Sequence, residues 1–256
     1  MSSTSDSTAR RRRVRRQRRS SDEGVEIREI SDELAEIAQR AAIKQTLKEF
    51  AQVQKEIHHA EPKGSSSSMK AAAAMRKLCP ELDANKSHVG GITGIRVGDA
   101  FASKGAMSVI GLHRELRGGI NVVEHEVSVV THRVANSVVF FIGAGSTYAD
   151  NNYDAREGIL IFSGEGGNPS DASSSLKAKK MKFGGYKDQT KTRGNAALIR
   201  TCELGLPVRV IMGDREAYSD GKYTYEGLYI IEKYSLQTGV HGNQIYKFQM
   251  KRFKGR

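Results

Sequence analysis

The residues that could do chemistry by spacing alone are few, and they point away from catalysis. His125 and His132 stand in HEVSVVTH, which is not the HExxH of a helical zinc site. Cys79 and Cys202 are the only cysteines, far apart and without a CxxC, so neither a zinc site nor a disulfide framework is indicated and a reduced intracellular setting fits. Gly164 to Asn168 read GEGGN, glycine-rich but without the lysine and helix that cradle a nucleotide phosphate. No GxSxG elbow occurs, and acids such as Asp150 and Asp154 are ordinary loop residues. The sequence therefore predicts no enzyme, no cofactor and no metal.

What remains is positive charge. The chain carries a formal +12 over 256 residues, unevenly spread. Residues 1–20 hold eight arginines and one aspartate, residues 21–89 come to −2, and residues 90–256 come to +7. The second half is thus basic without help from the first, as a surface that tracks phosphates would be. The run Arg10, Arg11, Arg12, Arg13, Arg15, Arg16, Arg18 and Arg19 repels itself and buries nothing, so residues 1–29 are expected to be a disordered basic tail. Its functional reading is a nuclear localisation signal; the alternative is a solvated tail without a receptor. No apolar run reaches about 18 residues, so no membrane span is expected.

The elements that must position any site fall into two halves. Over 30–60, Ser31 reads as a helix N-cap, and Ile43, Leu47, Phe50 and Ile57 recur at helical spacing. That stripe would dock on the folded domain, pair with a partner such as a chromatin protein, or form a homodimer through residues 31–58. Residues 61–83 read as a linker around Gly64 to Ser68, with a short helix from Met69 to Leu78. From 84 to 256, SVVTHRV, SVVFFIG, GILIFSG, PVRVIM and GLYIIEKY look like strands between turn signals. QIYKFQMKRF alternates, with Tyr246, Phe248 and Met250 on one side and Ile245, Lys247, Gln249 and Lys251 on the other. DQTKTRGNAALIRTCELG reads as a helix stopped by Gly205. The expected class is α+β: a twisted, mostly antiparallel, barrel-like sheet with a few packed helices.

Seven blocks in fixed order then carry a resemblance: GITGIRVGDAF, SVIGLHRELRGGI, a Tyr/Asp/Asn stretch closed by ILIFSGEGGN, DQTKTRGNAAL, LPVRVIMGD, YTYEGLYIIEKY and HGNQIYKFQMKRF. Together they resemble the SRA domain, also called YDG, which binds 5-methylcytosine in DNA by flipping the base. The segment ahead of them, IKQTLKEF and KAAAAMRKL, resembles that of plant SRA-plus-SET histone methyltransferases, although no cysteine-rich pre-SET or SET sequence follows up to Arg256.

The resemblance implies a site. Tyr148 matches the first of two aromatics that sandwich the base and Phe162 the second, followed by Ser163 and Gly164; the alternative is core packing at strand ends. Asn151, or Asp150 after a small shift, matches the acceptor for the cytosine amino group, in a loop two residues longer than the common pattern. Arg117, beside Gly118, matches a thumb residue. Lys177, Lys179, Lys180 and Lys182 lie where the family has a finger loop, or else simply hold phosphates without reading bases. The Tyr-Asp-Gly signature appears as Tyr225-Glu226-Gly227 and is expected in a turn. The implied function is a nuclear, non-catalytic reader of methylated double-stranded DNA. The alternatives are a degenerate SRA fold serving nonspecific DNA or protein binding, and an enzyme on modified DNA for which no nuclease motif is present.

Overall fold

The computed structural model describes residues 4–61, 67–79, 87–142, 151–167, 186–214 and 223–253, with side chains from residue 30 onward. The chain runs α1 (Thr4–Ala60), α2 (Ser67–Leu78), β1 (Ala100–Phe101), α3 (Lys104–Val109), β2 (Ile120–Val127), β3 (Val130–Phe140), β4 (Asn152–Asp154), β5 (Ile159–Ser163), α4 (Arg193–Glu203), β6 (Pro207–Gly213), β7 (Tyr223–Thr238) and β8 (Gln244–Arg252). The sheet is ordered β2-β3-β6-β7-β8-β5-β4, with β1 paired to β7. Only the β3–β6 pairing is parallel, so the class is the α+β, mostly antiparallel one the sequence predicts, as an open sheet.

The helical stripe of α1 is accounted for by docking. Ile43 and Phe50 are buried with Ala71, Ala72 and Met75 of α2 and Met107 of α3, against Val139, Ile211 and Tyr225 of the sheet. Arg40 adds a bidentate pair to Asp99, both bonds at 2.8 Å, which lowers the Asp99 carboxyl from its usual range. Ser31 lies inside α1 and not at its start, because the helix continues on its N-terminal side. The basic stretch expected to be a disordered tail is instead part of α1 from Thr4 onward, and the side chains of its arginines lie outside those described.

A second core fills the opposite face, where Ala197, Leu198 and Ile199 of α4 meet Val138, Phe140, Leu160, Tyr229 and Phe248. Cover on both faces explains why β3 is buried at seven successive positions from Val134 to Phe140, without the alternation of a half-solvated strand. Two strand readings need correction. SVVTHRV is not all strand: Ser128 and Val129 form the β2–β3 turn with φ of 50° and 62°, a left-handed pair that a β-branched residue seldom adopts. In β8, Ile245 is buried although it sits opposite Phe248 and Met250, because it tucks under the β7–β8 turn at Gly239. The helix α4 ends as read, with Gly205 at φ 62° and its N–H donated to the Cys202 carbonyl. No helix among the described residues is long and apolar enough to cross a membrane.

Candidate nucleic-acid interface

Several of the residues singled out by sequence converge at the C-terminal end of β3. Asn151 bridges two strands there: its Nδ2 donates to the Phe141 carbonyl at 3.2 Å, and its Oδ1 accepts the Ser163 N–H at 2.7 Å. One acceptor site on that amide oxygen is therefore occupied, and among the described residues the second has no partner. The loop after α3 joins the same end, because the Gly119 carbonyl accepts the Val139 N–H at 2.7 Å. Within that loop the Glu115 carboxylate accepts the N–H groups of Arg117 and Gly118 at 2.8 and 3.0 Å. Lys104 donates to the Gly118 carbonyl at 2.5 Å, and burial pushes its amine down to about 8. Arg117 itself is exposed on this braced loop.

Phe162 and Ser163 close β5 beside these groups. Phe162 is 4 % exposed, in register with Phe248 and packed in the second core. Lys247 donates to the Ser163 hydroxyl at 3.2 Å. The following glycine-rich turn is held by two buried amides that the sequence alone did not single out. Gln189 donates to the carbonyls of Gly164 and Gly166 and accepts the Tyr246 N–H. Asn195 accepts the Glu165 N–H at 2.9 Å and donates to the Glu165 and Thr190 carbonyls. A side chain at Gly164 would run into both amides, so the backbone can pass there only as glycine. Tyr148, Asp150, Lys177, Lys179, Lys180 and Lys182 lie outside the described residues.

The Tyr225-Glu226-Gly227 signature is not a turn. It forms a bulge within β7, where Val210 pairs with Gly227 and Ile211 with Tyr225 while Glu226 is skipped. The Glu226 carboxylate accepts the Tyr153 hydroxyl at 2.6 Å, and Arg252 donates to that hydroxyl at 2.9 Å and to Glu226 at 3.3 Å. Burial, then the bond to Glu226, raises the Tyr153 phenol far above its ordinary value, so it stays a donor. This network fixes β4 two residues after Asn151. Neither its pairing nor the two amide clamps leaves a local sequence signal.

Behind the Arg117 loop, His113 is fully buried with Nδ1 at 2.9 Å from the Ser137 hydroxyl. Burial, helped by the charges of Lys104 and Arg209, lowers its pKa to about 3. Between that value and about 6.5 the unfolded chain binds a proton that the folded one refuses, so stability rises with pH across this window and is lost on acidification. Thermal unfolding at pH 5 should therefore show about 2 kcal/mol less stability than at pH 7. His113→Gln should remove most of that slope; an unchanged slope would mean another group carries it. The Asp99 carboxyl is lowered as well, so its contribution has the same sign, but it is lost only at more acidic pH, as the pH falls through the carboxylate range.

A sequence profile of the SAD/SRA domain matches residues 88–256. The chain is 30 % identical over 230 residues to the histone-lysine N-methyltransferase, H3 lysine-9 specific SUVH6 of Arabidopsis thaliana, covering 84 % of this chain and 27 % of that protein. It is 35 % identical over 179 residues to a YDG domain-containing protein of the same plant, covering 70 % of this chain and 39 % of the relative. The chain thus spans well under two thirds of these relatives. Among solved structures, KRYPTONITE in complex with mCHH DNA, a histone H3 peptide and SAH superposes with a TM-score of 0.68 at 29 % identity, over 85 % of this chain and 43 % of that one. The SUVH5 SRA domain in complex with methylated CHH DNA superposes with a TM-score of 0.51 at 31 % identity, over 66 % of this chain and 96 % of that one.

Proposed function

Because the chain belongs to the SAD/SRA family, we propose that it is a non-catalytic nuclear reader of DNA that binds 5-methylcytosine by turning the base out of the duplex. Unstacking a base costs a few kcal/mol, so the protein must return a stacking surface, an edge acceptor and a plug for the gap. In this reading Tyr148 and Phe162 sandwich the base, the Asn151 amide oxygen or the Asp150 carboxylate meets the amino group, and Arg117 enters the vacated space. Lys177, Lys179, Lys180 and Lys182 contact the backbone, and the arginines from Arg10 to Arg19 direct nuclear import.

The observation that carries the proposal is the convergence at the end of β3. Asn151, the Phe162–Gly164 turn and the Arg117 loop hydrogen-bond to one strand end or to each other. The relation to the SUVH5 SRA domain, seen in complex with methylated DNA, supports the choice of ligand. A second reading, a nonspecific DNA or protein-binding module, draws on the burial of Phe162 within the second core.

Fluorescence anisotropy of the full chain with matched unmodified, hemimethylated and fully methylated duplexes separates the two. The proposal expects at least about tenfold preference for a methylated duplex, and Tyr148→Ala should weaken that binding by about 1–3 kcal/mol. Equal binding of all duplexes by the parent protein selects the second reading.

A further inference from the structure

Between the β2–β3 hairpin and α4 lies a cleft of about 400 Å³, away from the pocket end of β3. His132 and Arg133 of β3 form one wall; Lys191, Arg193 and Arg200 form the other, with Glu203 the sole carboxylate among the lining residues. Glu203 pairs with Arg200 at 3.0 Å. Arg133, Lys191 and Arg193 make no side-chain hydrogen bond or ion pair among the described residues, although Glu124 stands opposite Arg133 in register. Three cations without such a partner among the described residues, placed around one concave space, repel one another and raise the local potential for an anion.

The backbone adds a second sign. Arg193 has φ 47°, a left-handed conformation in which glycine would sit without strain. The helix end is not the anion site, since the Gly194 N–H already donates to Glu165 at 2.8 Å. The side chains are what the cleft offers. Arg193 and Arg200 lie seven residues apart on the α4 wall, about 10 Å along the axis, which matches about three base-pair rises of about 3.4 Å on one strand. The apolar lining is Ala196, Ala197 and Ile199, and Ile199 is only 1 % exposed, so little apolar surface is presented to anchor a peptide.

We propose that this cleft is a second DNA-binding site, in which Arg133, Lys191, Arg193 and Arg200 hold backbone phosphates of the duplex apart from any flipped base. It rests on DNA being the partner, as proposed above, and not on methylcytosine recognition.

The test is a salt series with the full chain and labelled unmodified and methylated duplexes. Arg133→Gln, Lys191→Gln and Arg193→Gln combined should weaken binding of both duplexes by the same factor. The slope of log K against log salt should flatten by about 0.9 for each phosphate that is no longer neutralised, about 2 to 3 in total. An unaltered slope overturns the proposal. It falls equally if the slope is unaltered while binding of a labelled polyglutamate peptide is abolished, which would assign the cleft to an acidic protein. Arg193→Gly guards against misfolding: relief of strain should raise Tm by about 2 °C while the slope still flattens by about 0.9. A rise in Tm with an unchanged slope removes Arg193 from the site. Equal binding of methylated and unmodified duplex by the parent would defeat base recognition and leave this test intact.

Discussion

Phe162→Leu is expected to keep the fold and lose the preference for methylated DNA. Phe162 is 4 % exposed and packs with Leu160, Phe248 and Met250, so truncation to alanine leaves a cavity and should cost about 3–5 kcal/mol of stability. Leucine refills most of that space and should cost about 1–2 kcal/mol. It cannot supply a π-face, however, and stacking on a base is worth about 1–3 kcal/mol, or roughly 5- to 150-fold in affinity. Chemical denaturation and duplex anisotropy on both variants separate the roles. If Phe162→Leu binds methylated DNA as the parent does, Phe162 is a core residue only and the sandwich assignment fails.

Arg209→Met should destabilise the fold by about 2–5 kcal/mol, through the buried carbonyls it leaves unsatisfied. Arg209 is completely buried, and no carboxylate pairs with it among the described residues. Its Nε donates to the Leu112 carbonyl at 3.1 Å, and its Nη1 to the carbonyls of His88 and Gly90 at 3.2 and 2.9 Å. Burial lowers its pKa to about 10, so the guanidinium is charged at neutral pH and the three carbonyls are its compensation. Methionine fills the volume but takes that donor from the Leu112 and Gly90 carbonyls, each costing about 1–3 kcal/mol. The strap around His88 would then be held mainly by Asn136, whose Nδ2 also donates to the His88 carbonyl. A Tm within about 2 °C of the parent would show that water replaces the guanidinium readily.

Local patterns were legible from sequence. The stripe Ile43, Leu47, Phe50 marks the face of α1 that packs, because side chains three and four apart share one side of a helix. The stop at Gly205 was visible for the same reason: a left-handed cap needs only its own backbone freedom. Burial of β3 on both faces was less visible, since continuous apolar runs do not say what covers them. The Ser128–Val129 turn carries no Asn-Gly signal, and its left-handed geometry is imposed by the β2–β3 ladder on either side.

By itself the sequence determined the class of fold, the basic character of the second half and, through seven ordered blocks, the family. The first two follow from composition and from neighbours a few residues apart; the family follows from the resemblance that the ordered blocks carry. Tertiary structure alone decided which polar groups meet: Arg252 with Tyr153 across 99 residues, Arg209 with Leu112 across 97, and Arg133 with Arg193 around one cleft. Such meetings depend on strand order and register, and a hydrogen bond formed at that range leaves no periodicity along the chain to read.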